Sequence, residues 1–279
     1  QQKEIMKLFF NMDCLVLFKV NYKSEMDKTV GGKVVLVTGS ADGLGFSMVE
    51  HFLKNSAKFV IMVDINEIKG MESLDTLKSK YGKDRAVFFL CNVVTDLEKT
   101  YAEVTKIWNV DVLINNAGIT DEKSIRNTMN VNAIAVMEWT MKFYEYMRKD
   151  KGGKGGTIIN ISSIYGYRIS ANYPYYHASK FAILGFSKSL GNEYNFKTTG
   201  VRIITACPGF TNTNMIKTAI FREEDTLEDV LKDYRRNQKS EECQDADHVG
   251  KSVVEIFEKA DSGSVWQIEG RRPAVKINV

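Results

Sequence analysis

Tyr176 and Lys180 stand four residues apart in the string YYHASK, a spacing that places a phenol and an ammonium on one face of a helix. Free tyrosine titrates at about 10 and is a poor base, but a fixed cation beside it favours the phenolate. Such a pair can take the proton of a hydroxyl near neutral pH. An aromatic with a snorkelling lysine on an amphipathic helix has the same spacing, so the weight falls on what accompanies the pair.

Upstream, KVVLVTGSADGLGFSMVEHFLKN reads as a β-branched strand, a glycine turn and an apolar pattern with helical period. Gly39, Gly43 and Gly45 strip side chains from the turn, and the helix that follows aims its N–H groups and positive dipole end outward. This is a cradle for a pyrophosphate. Nineteen residues beyond Gly45 the run KFVIMVDIN ends in Asp64, where a carboxylate at a strand's carboxyl end can accept both hydrogen bonds of a ribose diol. An ordinary strand-ending acid in a turn is the alternative. Asp64 and Asp42 would repel a 2′-phosphate, and Ile65 stands where a phosphate reader would carry a base. NAD is therefore the expected cofactor, and NADP is disfavoured.

TGSADGLG, Asp64, NNAG at 115–118, Asn132, Ser163, YHASK and PGFTNT together resemble the short-chain dehydrogenase/reductases, from about Gly32 to Glu269. Thirteen residues separate Ser163 from Tyr176, as in that family. Within it, KGGKGGTIINISS, CPGFTNTNM and SVWQIEG are similar to the NAD-dependent insect alcohol dehydrogenase and 15-hydroxyprostaglandin dehydrogenase group. The resemblance implies a Rossmann fold and hydride transfer between an alcohol and nicotinamide. By resemblance, Tyr176 is the base and Lys180 lowers its pKa and binds the nicotinamide ribose. Ser163 orients the substrate oxygen, with Ser162 as its rival, and Asn132 supports a water path to the lysine, with Asn130 or a helix cap as the alternative. The family's cofactor contacts fall on Leu44, Ile65, Val93, Asn116, Ala117, Gly118, Pro208, Gly209, Thr211 and Thr213. Asn92 stands where the family usually carries aspartate; its amide oxygen can still accept from adenine.

The substrate wall is expected from Tyr165, Tyr167, Tyr173, Phe210, Met215, Ile216, Ile220 and Phe221, an apolar and aromatic set. It suits a lipophilic secondary or allylic alcohol, of terpenoid, retinoid, steroid or prostanoid type, or the matching ketone. By resemblance the helical pattern beginning at Thr213 is a lid, placed at 213–240. Two other readings stay open: an NADP-dependent carbonyl reductase, and a catalytically silent ligand-binding member of the fold.

The elements that must position these residues are read from the alternation of apolar runs with helical stretches. KVVLVT, KFVIMVD, AVFFLC, DVLINN, GTIINIS, VRIITAC and SVWQI are the strand candidates. This rhythm predicts an α/β fold, a single doubly wound parallel sheet with helices on both faces. With only three prolines and no repeat, residues 30–279 read as one catalytic domain, and KGGKGG at 151–156 as a helix-to-strand loop. The 279 residues, 44% hydrophobic, suffice for one large core. A net charge of +3 with interspersed signs offers no stripe for nucleic acid. The scattered Cys14, Cys91, Cys207 and Cys243 read as reduced thiols, and the isolated His51, His177 and His248 predict no metal. Residues 1–29 read as an extension; its apolar stretch is interrupted by Asn11 and Asp13 and is too short to span a bilayer. A membrane-associated helix at 5–18 is the alternative. No integral membrane segment, a cytoplasmic location and a homodimer or homotetramer complete the expectation.

Overall fold

The computed structural model describes residues 26–237 and 243–279. The segment 1–25, with its alternative helix at 5–18 and Cys14, and the last expected lid residues, 238–240, lie outside the described residues. Residues 26–29 lie against the domain: Lys28 Nζ meets Asp261 Oδ1 at 3.1 Å and Lys33 Nζ meets Asp27 Oδ2 at 2.6 Å.

In chain order the elements are β1 (Val34–Thr38), α1 (Gly43–Lys54), β2 (Phe59–Asp64), α2 (Glu67–Tyr81), β3 (Ala86–Leu90), α3 (Leu97–Ile107), β4 (Val112–Asn115) and α4 (Ile125–Met129). A π-helical turn (Asn130–Ala135) then runs into α5 (Val136–Met147). They continue as β5 (Gly156–Ile161), α6 (Pro174–Leu190), α7 (Glu193–Thr199), β6 (Val201–Pro208), α8 (Asn214–Lys217), α9 (Leu227–Asn237), α10 (Ala246–Lys259), β7 (Val265–Ile268) and β8 (Val275–Ile277).

The strands form one sheet in the order β3-β2-β1-β4-β5-β6-β7-β8. The first seven are parallel, with Val35 opposite both Val60 and Val112; β8 pairs antiparallel with β7, a strand the apolar pattern did not announce. Every residue of β1 is buried, as a strand covered on both faces must be. Alternation divides it: Val35 and Val37 pack with Met48, Phe52 and Phe257, whereas Val34 and Leu36 pack with Val104, Trp139 and Phe143. Helices α1 and α10 thus cover one face, and α3 and α5 the other. Emptying one such site, as in Phe52→Ala, costs about 3–5 kcal/mol.

The chain leaves β3 at one edge and resumes at β4 on the other side of β1. That reversal opens a crevice at the carboxyl ends of β1 and β4, the place where open α/β sheets hold ligands. The KGGKGG stretch forms the turn before β5, with Gly152 and Gly155 at φ of 90° and 80°. Beneath the crevice Asn115 Nδ2 donates to Asn160 Oδ1 at 2.9 Å and to Thr140 Oγ1 at 3.0 Å. Asn160 Nδ2 in turn donates to Ser187 Oγ at 2.9 Å, so four buried polar side chains join β4, β5, α5 and α6.

Candidate active site

Above the sheet's carboxyl edge lies a cleft of about 630 Å³. Its first wall is the glycine turn. Gly39 and Gly43 sit at φ of 63° and 56°, a region other residues adopt only under strain. A Cβ on Gly39 would stand 2.7 Å from Ala117 Cα, so the two loops meet backbone to backbone. Asp42 caps α1, its Oδ1 accepting from Gly43 N at 2.8 Å, and its other oxygen takes a short hydrogen bond from Asn214. Gly39, Asp42, Gly43 and Leu44 all line the cleft. Gly45 does not: its Cβ would stand 2.0 Å from Gly39 O and 2.7 Å from Asn116 Nδ2. Its smallness lets α1 start against the turn.

Asp64 and Ile65 follow on the same wall. Asp64 Oδ2 accepts from Ala41 N at 2.9 Å and Oδ1 from Asn66 N at 2.9 Å, which fixes the carboxylate at the rim. Asn92 and Val93 line the cleft beside it. Asn92 Oδ1 already accepts from Val94 N at 3.0 Å, one of the two lone pairs the sequence left for adenine. Asn116, Ala117 and Gly118 complete this half, Asn116 Nδ2 donating to Gly39 O at 2.9 Å. A backbone cradle that side chains would fill, a helix N-terminus and a fixed carboxylate fit a dinucleotide.

The other half gathers around α6. Ser163, Tyr176 and Lys180 all face the cleft. Ser163 Oγ accepts from Tyr165 N at 3.2 Å and donates to Pro208 O at 3.5 Å. Ser162 Oγ is spent on Lys180 O at 2.8 Å, which separates the two serines. Lys180 Nζ donates to Ile161 O at 3.0 Å and lies 5.5 Å from the Tyr176 ring centroid. Burial works against the lowering of the Tyr176 pKa expected from Lys180. Burial pushes the phenol up to about 12 against the opposing hydrogen bond to Ser163, and burial pulls Lys180 down to about 8. Desolvation dominates because Lys180 is buried and Tyr176 half-buried at the cleft floor, and the two are not in direct hydrogen-bond contact.

Asn132 lies outside the lining, fully buried in the π-helical turn. Its Oδ1 accepts from Ile119 N at 2.8 Å, and its Nδ2 donates to Ile119 O at 2.9 Å and to Ser179 Oγ at 3.2 Å. The extra residue of the π turn aims this side chain at the loop after β4. A Cβ on Gly118 would touch both Asn132 Oδ1, at 3.3 Å, and Lys180 Nζ, at 3.6 Å. Asn132 thus stands next to the lysine through that glycine.

Of the expected wall, Tyr165, Tyr173, Phe210, Met215, Ile216 and Phe221 line the cleft, and Pro208, Gly209, Thr211 and Thr213 carry the turn beneath them. Tyr167 and Ile220 do not. Tyr167 turns back toward β7, its hydroxyl 3.1 Å from Gln267 Oε1. Ile220 is pinned by its backbone, with its N donating to Thr120 O at 2.9 Å and its O accepting from Glu122 N at 2.8 Å, and its side chain is half exposed. The continuous helical pattern after Thr213 divides into α8 and α9 around this pinned strand-like residue.

Two side chains that the sequence did not single out hold this half together. His177 Nε2 accepts from Ser170 N at 3.1 Å, so Nδ1 carries the proton that it gives to Tyr165 O at 3.0 Å. Gln244 Nε2 donates to Ile268 O at 3.0 Å and Thr211 Oγ1 at 3.1 Å, while its backbone bonds Phe210 O and Asn212 N. Gln244 works through partners far away in the chain, and His177, inside YHASK, through the loop just before its own helix.

The family model for short chain dehydrogenase matches residues 33–224. The 15-hydroxyprostaglandin dehydrogenase [NAD(+)] of Macaca fascicularis is 37% identical over 217 residues, which is 74% of this chain and 81% of that protein. Alcohol dehydrogenase 1 of Ceratitis cosyra is 28% identical over 245 residues, covering 85% and 92%. Among solved structures, the 3-ketoacyl-(acyl-carrier-protein) reductase of Brucella melitensis complexed with NADH superposes with a TM-score of 0.71 at 21% identity, covering 86% of this chain and 98% of that one, and shows the shared fold. The glycine turn, the serine and the Tyr-x-x-x-Lys pair that meet in the cleft all fall inside the matched stretch, and the chain belongs to the short-chain dehydrogenase family, in the group of the 15-hydroxyprostaglandin and insect alcohol dehydrogenases.

Proposed function

We propose that this enzyme oxidises a lipophilic secondary or allylic alcohol, of terpenoid, retinoid, steroid or prostanoid type, to its carbonyl with NAD as acceptor. One observation carries the reading: a phenol, a hydroxyl and an amine converge at the floor of a cleft whose outer wall is aromatic and apolar. The carboxylate of Asp64, fixed at the rim, favours the ribose diol over a 2′-phosphate, and relatives named for NAD(+) support the choice.

When bound, NAD would supply the hydride acceptor and a positive ring. Gly39, Gly43 and the N–H groups opening α1 would hold its pyrophosphate, Asp64 its adenosine ribose and Lys180 its nicotinamide ribose. Ser163 Oγ holds the substrate oxygen, and Tyr176 removes the hydroxyl proton. Burial favours the neutral phenol, so positive charge beside it, from Lys180 and a bound nicotinamide ring, would favour the phenolate. Asn132, through its hold on the Ile119 backbone, keeps the loop beside Lys180 in place. Segment 213–240 serves as the lid over the apolar wall.

The outward faces of the π turn, α5 and α6 expose Ile134, Met141 and Phe181, which supports pairing of two copies along these helices into a homodimer or homotetramer. A cytoplasmic location goes with this reading; no helix of the described residues is long and apolar enough to cross a membrane.

The test is absorbance of reduced nicotinamide while the protein meets NAD or NADP and a panel of secondary, allylic, terpenoid, steroid and prostanoid alcohols. The expected result is turnover with NAD and one lipophilic class. Tyr176→Phe should bind NAD as the parent does and lose at least about 10³-fold in kcat. Appreciable remaining turnover would remove Tyr176 as the base.

A further inference from the structure

We propose that Glu122 is a positioning residue that sets Tyr176 in the cleft and ties that setting to the segment covering the substrate. The inference rests on the proposed role of Tyr176 as the base.

Helix α6 begins without a cap of its own. Its N-cap residue, Tyr173, makes no side-chain bond to the first turn, and Pro174 has no N–H to satisfy. His177 N is the first to bond within the helix, to Tyr173 O at 2.9 Å. The amides of Tyr175 and Tyr176 are left over, and both go to one carboxylate: Tyr175 N donates to Glu122 Oε2 at 3.0 Å and Tyr176 N to Glu122 Oε1 at 2.8 Å. Glu122 is 3% exposed and comes from the loop between β4 and α4, more than fifty residues earlier. A buried carboxylate accepting two N–H groups at a helix N-terminus is among the stronger caps available.

The main chain of the same residue bonds in a different direction. Glu122 N donates to Ile220 O, and Ile220 N donates to Thr120 O, a two-bond rung between this loop and the segment joining α8 to α9. Its neighbour Asp121 is buried and accepts from Lys123 N and Ser124 N, which holds the loop itself. Phe221, next to Ile220, packs on Tyr173 with ring centroids 6.2 Å apart. One residue therefore joins the base-bearing helix to the cover of the apolar wall. Closing that cover over a substrate and fixing the tyrosine become one event.

Glu122→Gln keeps one accepting oxygen and turns an NH₂ toward the other amide, leaving a buried donor facing a donor. Amide hydrogen exchange read by mass spectrometry on the full chain, with and without NAD, is expected to speed up jointly at 174–177 and 219–222. Exchange quickened at only one of these segments, or at neither, would overturn the proposal. With 2-decanol and a prostaglandin as probe alcohols, kcat is expected to fall about tenfold while the NAD dissociation constant, read by protein fluorescence, stays within about twofold. A residue that served stability alone would lower the fraction of NAD-binding protein and leave the rate per bound site unchanged, and that result also overturns the proposal. Glu122→Asp, which keeps the charge but shortens the reach, gives the same joint exchange signature if the glutamine variant does not fold. Failure of the base reading shows separately: Tyr176→Phe would stay active whatever Glu122→Gln does.

Discussion

The half of the cleft that fits the dinucleotide and the half that faces the alcohol are held in place by different parts of the chain. The first is main chain against main chain: Gly39 on Ala117, Gly45 on Gly39, and strand ends carrying Asp64 and Asn116. Its side-chain bonds go largely to backbone, as from Ala41 N to Asp64 and from Asn116 to Gly39 O. The second half is loops and helix ends stitched by single side chains: Glu122 to α6, His177 to Tyr165 and Ser170, and Gln244 to the turn after β6. A frame of backbone contacts tolerates little change in residue type, whereas stitched loops can be re-dressed around a different alcohol. The contrast accounts for one family serving many substrates with one cofactor site.

Substitutions can break or sharpen this contrast. Gly45→Ala should have the largest effect, because its Cβ would overlap Gly39 O at 2.0 Å and crowd Asn116 Nδ2 at 2.7 Å. A loss of roughly 3 kcal/mol and a Tm lower by about 5–10 °C, together with weakened NAD binding, is the expected calorimetric result. An unchanged Tm would mean that the frame yields more readily than its contacts suggest. Asp64→Ala should leave the fold intact and reduce the preference for NAD over NADP by about 100-fold in kcat/KM. A constant ratio would show that the rim carboxylate does not read the ribose. Phe221→Ala, in the stitched half, should raise KM for a lipophilic alcohol about tenfold with the NAD dissociation constant unmoved. If NAD binding moved equally, the two halves would not be separable.

The smallest expected effect concerns stability against pH. Lys180 is held near 8 in the folded protein against its ordinary 10.5, so above pH 8 the unfolded chain binds more protons and stability rises with pH. Cys207 and Tyr176 are both pushed up to about 12, from 9 and 10, so from pH 9 they act in the opposite sense. Between pH 8 and 9 the cofactor-free protein should therefore gain about 1 kcal/mol in urea unfolding relative to Lys180→Met. A parallel pH dependence in the two proteins would refute the depressed lysine.

What could be read in the sequence follows the same division. The seven parallel strands announced themselves because each is a short, mostly apolar run, the central ones buried on both faces, and the glycine turn because its function demands residue types at fixed spacing. Tyr176 and Lys180 were legible for the same reason, as a helical repeat. Glu122, Gln244 and the Asn115–Asn160 bond were not, since a lone polar residue shows its partner only after the chain has folded across tens of residues. Tyr167 and Ile220 looked like wall residues by type, yet one turns to Gln267 and the other is fixed by a backbone rung. For Tyr176 the spacing showed the nearby cation but not the burial that opposes its effect.

Strand β8 has a consequence for the molecule as a solute. A parallel sheet ending at β7 would present a row of open N–H and C=O groups to any passing chain, the template on which aggregates grow. Three residues, Val275–Ile277, fold back antiparallel and occupy that row, and Lys276 puts a charge in the middle of the new edge. Strand β8 thus covers the open edge of β7, and removing residues 274–279 should raise light scattering as protein concentration rises, by edge-to-edge aggregation.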